Sequence, residues 1–330
     1  MTNIKTGLLA ATAVLLAAPA FAEWAPERPL EFIVASGAGG GTDNFARTIQ
    51  AAITRGDVIE QPIVVLNKGG GSGAEAFLYA KQNAENPHKL IFGTNNVYLL
   101  PHVAKLAYEA KDLQPVAALA LDEFLIWVKA DSPYQTAMDM IEAAKAAPGT
   151  IVFGGSQSKD TDETLVALIE QTTGAEFKYV PFNGGGEVGV QLAGGHVAAN
   201  VNNPNENLGQ WQAGAIRPLC VFAPQRMAES APIQGEMGWH DIPTCKEQGL
   251  DIESYQMPRT VWLPAGTPPE VLAYYEAALQ KVSESQEWQD YLTKTSQSAA
   301  FLTGDALASF IAKSEGDTVK VFEAEGWSAK

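Results

Sequence analysis

An α/β fold in two lobes is what this sequence predicts, on three observations. Short β-rich runs alternate with amphipathic helical stretches as far as residue 264, the pattern of strands layered with helices in largely parallel sheets. Beyond residue 264 no strand-like run is read, so the helical tail must pack on a sheet made earlier. The length suits two units, since about 308 residues remain without an N-terminal leader and a domain takes roughly 100–200.

Taken in order, residues 1–22 read as a cleavable export signal. Lys5 gives the positive end, GLLAATAVLLAAPA the short apolar stretch, and AFA at 20–22 the small residues that signal peptidase requires. Cleavage is expected between Ala22 and Glu23, and a periplasmic location follows. The apolar run is shorter than the roughly 20 residues of a membrane span, and no cysteine near the junction signals a lipid anchor.

The strand candidates are LEFIVAS, PIVVLN, LIFGT, VAALAL, FLIWVKA, TIVFGGS, FKYVPF, VAANVNN and IRPLCVFA. Between them Phe45, Ile49, Ala52 and Ile53 recur at helical spacing, as do Leu165, Leu168 and Ile169. PPEVLAYYEAALQKVSES opens the tail with proline in the first turn and sets Val271, Leu272, Tyr275, Ala278 and Leu279 on one face. QEWQDYLTKT and GDALASFIAKSEGDTVKVFEAEGW continue as helices. The expected division is lobe 1 over 23–125 and 253–330, with lobe 2, 126–252, inserted between them.

Apolar residues make up 46% of the chain, ample for two cores. Removing the leader takes away Lys5 and no acid, leaving 21 basic against 38 acidic residues, a net charge of −17. Nucleic acid or an anionic membrane surface favours the opposite sign, so neither is an expected partner. A small anionic ligand remains compatible, because a local site can be positive inside an acidic protein. Cys220 and Cys245 either form a disulfide, reasonable in an oxidising compartment, or stay as two buried thiols. His88, His102, His196 and His240 lack metal-ligand spacing, so neither a metal nor another cofactor is expected.

In open α/β sheets ligands sit where strand ends give onto helix N-termini, with free N–H groups and a positive dipole end. SGAGGGTD (36–43) has that character, with Thr42 or Asp43 as the expected N-cap. GTNN (93–96) ends another strand. GGSQSKDTDET (154–164) pairs Asp160 with Glu163 in a capping arrangement. PFNGGGE (181–187) and the amide-rich NVNNPNE (200–206) complete the set, although asparagine also favours plain turns. The glycine loop lacks the Lys-Ser/Thr end of a P-loop and matches a dinucleotide fingerprint only loosely. No G-x-S-x-G elbow, H-E-x-x-H or nucleophile paired with a histidine is found, so catalysis is not the expectation.

The order of these motifs resembles the periplasmic solute-binding proteins of tripartite tricarboxylate transporters, the Bug-type receptors. Their Gly-Gly-x-x-Asp loop is matched by GGGTD at 39–43 with Arg47 beyond it, and their Asn-Lys-x-Gly-Gly segment by NKGGGSGAEA (67–76). APGTIVFGGSQS, YVPFNGGGE, DIPTCKEQG and LPAGTPPE (263–270) match further family stretches in collinear order. The resemblance implies a two-lobed flytrap (periplasmic-binding-protein) fold whose cleft holds small carboxylates through backbone amides, hydroxyls and ordered waters. Three departures stand out. VASGAGG lacks the usual proline, SQSKDTDE carries charge, and YQMPRTVWLP (255–264) puts Arg259 where an aromatic residue is commoner. An Arg there reads as a bidentate carboxylate partner or as an ion-pair residue.

The expected ligand contacts are Ser36, Gly39, Gly40, Thr42, Asp43, Thr94, Asn95, Ser156, Gln157, Lys159, Asn183, Asn202, Asn203 and Arg259. The expected function is a monomeric receptor that carries a small di- or tricarboxylate to a membrane permease. The alternatives are an exported enzyme on a similar acid and a periplasmic sensory module.

Overall fold

The computed structural model describes residues 24–156 and 158–329. The expected export signal, its expected cleavage site and Gln157 lie outside the described residues. Eleven strands and ten α-helices are assigned among them, in two sheets with helices on both faces.

The first sheet begins as a parallel α/β unit: β1 (Leu30–Val34), α1 (Gly41–Arg55), β2 (Ile63–Asn67), α2 (Ala74–Gln82), β3 (Lys89–Gly93) and α3 (Asn96–Val103). Alternation of side chains along β1 divides its core. Leu30, Phe32 and Val34 face the cluster under α1, which buries Phe45, Ile49 and Ile53, while Ile33 and Ala35 face the cluster with Phe77, Tyr98 and Trp262. Strand β4 (Leu113–Glu123) then leads into β5 (Leu125–Lys129), which belongs to the other sheet.

The second sheet adds α4 (Ala137–Ala146), β6 (Val152–Ser156), α5 (Thr161–Thr173), β7 (Lys178–Phe182), α6 (Gly185–Ala193), β8 (Ala199–Asn202), α7 (Pro204–Gln212) and β9 (Ile216–Val221). Its strand order is β7-β6-β8-β5-β9. Ile126 and Val128 face one core. Leu125 and Trp127 face the other, where Trp127, Trp211 and Trp239 stack edge to face or tilted, with centroids 4.8–6.1 Å apart. Cys220 on β9 is joined to Cys245 by a disulfide. A long return through residues 222–255 re-enters the first sheet as β10 (Gln256–Pro264).

The tail follows as α8 (Pro269–Ser283), α9 (Gln286–Thr295), β11 (Ser298–Leu302) and α10 (Gly304–Ala324). Val271, Tyr275, Ala278 and Leu279 are buried against the first sheet, and Tyr98 Oη of α3 donates to Ser314 Oγ of α10 at 3.1 Å. Among the described residues no helix is long and apolar enough to cross a membrane.

Two expectations need correction. A strand does occur past residue 264: β11 pairs antiparallel with β4 at the sheet edge. Its sequence, SAAFL, is short and rich in small residues, so it carries little β signal of its own and depends on β4. The sheets are also mixed, not largely parallel. β1–β3 and β6–β8 pair in parallel, but β4, β5, β9, β10 and β11 all pair antiparallel to their neighbours. A strand that carries the chain from one sheet to the other enters against the local direction.

Glu123 lies where both crossings meet. Its buried carboxylate accepts from Gln256 Nε2 at 2.8 and 3.0 Å and from Ser298 Oγ. Asn203 Nδ2 of the second sheet donates to its backbone carbonyl at 2.8 Å. Burial, with Asp122 adding to it, pushes the carboxyl up to about 7.

A carboxyl whose folded value lies above its unfolded one contributes stability that is complete below the unfolded value and lost as pH rises through the folded one. The melting temperature is therefore expected to fall between about pH 5 and pH 8, and Glu123→Gln to flatten part of that fall in a thermal melt. Opening the 25-residue Cys220–Cys245 loop with Cys245→Ser is expected to cost about 2–4 kcal/mol in chemical denaturation.

Candidate functional site

Every helix-opening loop singled out above lies at the carboxyl end of a strand: after β1, β3, β6, β7 and β8. The glycine loop after β1 is built by Asp43. Its carboxylate accepts from Gly39 N (2.8 Å), Arg47 Nε (2.9 Å) and Asn67 Nδ2 (2.9 Å). Burial would raise it, but those donors outweigh burial and hold the group below the usual carboxylate range. Asn67 Nδ2 also donates to Ser36 O at 3.2 Å.

The N-cap is Gly40, with no side-chain cap, which corrects the expectation of Thr42 or Asp43. Asp43 is turned back into the loop instead of over the helix end. The first-turn N–H groups of α1, which have no acceptor within a helix, thus receive no side-chain cap. Gly69 of the NKGGG segment presses on this loop so closely that a Cβ there would stand 2.7 Å from the Ser36 carbonyl carbon.

Arg259 lies across the mouth of the same loop. A β-bulge interrupts β10 beside it, between Arg259 and Thr260, the kind of irregularity that re-aims a side chain. Nη1 donates to Thr42 Oγ1 at 3.1 Å, and Nη2 stands 2.5 Å from Asp122 Oδ2. The guanidinium lies where a Cβ on Gly41 would be, 2.8 Å from Nη2, and Nε meets no acceptor among the described residues. Asp122 is 3% exposed and also accepts from Gln297 Nε2. Arg259 therefore already holds an internal carboxylate, and Arg47 is paired with Asp43.

On the other face of the sheet, Thr94 donates through N and Oγ1 to Asn96 Oδ1 at 3.1 and 3.0 Å, and Asn95 is buried at the N-cap of α3. Asn95 lines a cavity of about 490 Å³ together with Thr164 of α5, Tyr255 and Gln256 of the return crossing, and Phe310 and Ser314 of α10.

The lobe 2 wall is held by its own acids. Ser156 donates through N (2.7 Å) and Oγ (2.9 Å) to Asp162 Oδ2, and burial raises Asp162, with Glu206 adding to it. Asp160 caps α5 from Thr161 N at 2.8 Å. Asn183 N and Nδ2 donate to Glu187 at 3.2 and 3.0 Å. Asn203 N donates to Glu206 at 3.2 Å. Glu206 lies against Gly185. Burial pushes it up to about 7, with Asp122 adding and Arg259 opposing.

The candidates thus fall on two sheets: Ser36, Gly39, Gly40, Thr42, Asp43, Thr94, Asn95 and Arg259 belong to the first, and Ser156, Lys159, Asn183, Asn202 and Asn203 to the second. Lys159 is exposed, with φ +56°. Sequence reasoning passed over Asp122, Glu123, Asp162 and Glu206. The signal for the first two was present: an Asp-Glu pair between two apolar strand runs, LALDEFLIW.

Comparison with known proteins fits this architecture. The sequence profile described as tripartite tricarboxylate transporter family receptor, TctC, matches residues 45–326. The UPF0065 protein in the gbd 5' region of Cupriavidus necator is 28% identical over 318 residues, 94% of this chain and 92% of the relative. Protein BugT of Bordetella pertussis is 27% identical over 93% and 91%. A TctC solute binding protein from Polaromonas, solved without ligand, is 28% identical with a TM-score of 0.78 over 91% of this chain and 99% of that one. R. palustris Rpa4515 with adipate is 25% identical with a TM-score of 0.74 over 92% and 99%. With most of its length matched and its two lobes built as in those receptors, this chain belongs to the TctC family of periplasmic solute-binding proteins.

Proposed function

We propose that this protein captures a small organic di- or tricarboxylate in the cleft between its lobes and delivers it to the membrane permease of a tripartite tricarboxylate-type transporter. The observation that supports this reading is the N-terminus of α1, which has no side-chain cap at Gly40 and lies beside Arg259, so that its positive dipole end can take an anion. Adipate in the related R. palustris receptor supports the ligand class. We place the two crossings at Glu123–Phe124 and Tyr255–Gln256, a few residues from the sequence-based division, because Glu123 ends one sheet's strand and Gln256 begins its return. Rotation about them would close the lobes on the ligand and present one combined surface to the permease.

A thermal-shift screen of mono-, di- and tricarboxylates tests the reading, since a ligand that binds only the native state raises the melting temperature by mass action. Gly40→Val is expected to abolish the shift while leaving far-UV circular dichroism intact, because the added side chain enters the loop 3.2 Å from Gly37 O. Unchanged affinity would remove α1 from the site.

Arg259→Ala is expected to do two things. It should leave buried Asp122 uncompensated, at a cost of about 3–5 kcal/mol in urea denaturation. It should also weaken the best ligand about ten- to a hundredfold by calorimetry. Adding Asp122→Asn to that variant should restore stability without restoring affinity; recovery of both would make Arg259 a structural residue alone.

A further inference from the structure

One edge of the first sheet is formed by β2, which pairs with β1 alone. Leu30 N donates to Pro62 O and Lys68 N to Val34 O, so in this parallel pair the even-numbered residues of β2 turn their backbone groups toward β1. The odd-numbered ones, Ile63, Val65 and Asn67, turn theirs outward. Gln50 Nε2 of α1 donates to Ile63 O at 2.8 Å. The N–H and C=O of Val65 and Asn67 meet no partner among the described residues.

This edge lacks the usual protection by charge, by a proline that removes an outward N–H, or by a covering element. Pro62 is even-numbered, so the N–H it lacks would have faced β1. Lys68 is drawn back onto Glu75 at 3.1 Å and over the ring of Tyr79 at 4.8 Å, and no charged residue lies between Pro62 and Lys68. Ile63 and Val65 pack onto the core under α1, while Val64 and Leu66 on the opposite face are 48% and 36% exposed. A single exposed apolar side chain needs no explanation; two neighbours on one strand face, beside an open ladder, do.

The edge is complementary to a second copy of itself. Antiparallel pairing centred on Val65 sets Val65 against Val65 and Ile63 against Asn67. These are the outward-facing residues, so each pair can exchange both of its hydrogen bonds. A slip of one residue would oppose outward-facing to inward-facing backbone and lose them. The same register lays Val64 over Leu66 of the second copy, twice by symmetry. Charge favours the same arrangement. Asp57 and Glu60 precede the strand and Lys68 follows it, so antiparallel copies bring acidic ends to basic ends, where parallel copies would bring like ends together.

We propose that the protein forms a two-fold symmetric dimer through β2, in place of the monomer that the sequence suggests, with the first sheets of the two copies joined into one. The pairing uses the same edge of each copy, so assembly stops at two. It does not depend on which ligand the cleft holds, but it does reach the glycine loop. Asn67, whose backbone is paired in the interface, donates from its side chain to Ser36 O at 3.2 Å and to Asp43 Oδ1 at 2.9 Å. A second copy therefore steadies the strand end against which that loop is built.

Sedimentation equilibrium on the full mature protein, up to about 1 mM, is expected to show a monomer–dimer equilibrium and no larger species. Val64→Lys combined with Leu66→Lys sets like charges opposite each other in both cross-strand pairs and is expected to weaken the dimer at least about tenfold. Added lysines also reduce the net charge of an acidic chain, which by itself favours association, so a weakening reports the local contact. Val64→Glu combined with Leu66→Lys sets opposite charges there and is expected to recover most of the loss. Both positions are exposed, so the variants should keep the parent melting temperature at low concentration. In amide exchange, Val65 N–H should slow as protein concentration rises, whereas Val64 N–H, already turned to β1, should not change. A monomer at every concentration, a dimer indifferent to the lysine pair, no recovery with the Glu–Lys pair, or growth past the dimer each overturns the proposal.

Discussion

The ion pair between Asp122 and Arg259 is the contact on which the rest of the arrangement depends. The two residues are diagonal neighbours on β4 and β10, the strands that carry the chain out of the first sheet and back into it. Through Thr42, the same guanidinium reaches the first turn of α1. One planar group therefore fixes both crossings relative to the glycine loop, and a shift in any of the three disturbs the others. Such a pair is held against a substantial desolvation cost. Its worth lies in specifying geometry, since an apolar replacement of similar volume would hold the strands together without aiming any donor at the cleft.

Much of the fold was legible in the sequence because it rests on local signals. Short β-rich runs such as LEFIVAS and FLIWVKA became β1 and β5, and the stripes Phe45–Ile53 and Val271–Leu279 became the buried faces of α1 and α8. The family motifs placed the loops in order. What escaped was non-local. SAAFL forms β11 only because β4 offers an open edge, and the antiparallel sense of the crossing strands depends on the direction in which the chain enters each sheet.

The site shows the same division. The glycine loop could be read from its residues, but the partners of its polar groups could not. Arg259 was recognisable as an unusual cation; that Asp122, separated from it by an entire lobe, would occupy it was not. Asp43 is conspicuous in sequence as part of the glycine motif, yet its oxygens are spent on Gly39, Arg47 and Asn67. Conversely, Glu206 looked like one polar residue in an asparagine-rich turn, and only folding sets it opposite Arg259.

The C-terminal helix adds a constraint of its own. α10 packs on α3 and β4 in the first lobe, but its far end also reaches the second, where Gln171 Nε2 donates to Glu325 Oε1 at 3.0 Å. The lobes are thus fastened along the back as well as joined by two covalent crossings. A joint with two parallel straps can bend and twist freely; a third contact set off their line would favour one rotation, a rolling of α5 against α10. The cavity lined by Asn95, Thr164 and Phe310 sits at that rolling contact, so the angle between the lobes is written into its shape, and a fluorophore seated there would act as a goniometer for the protein.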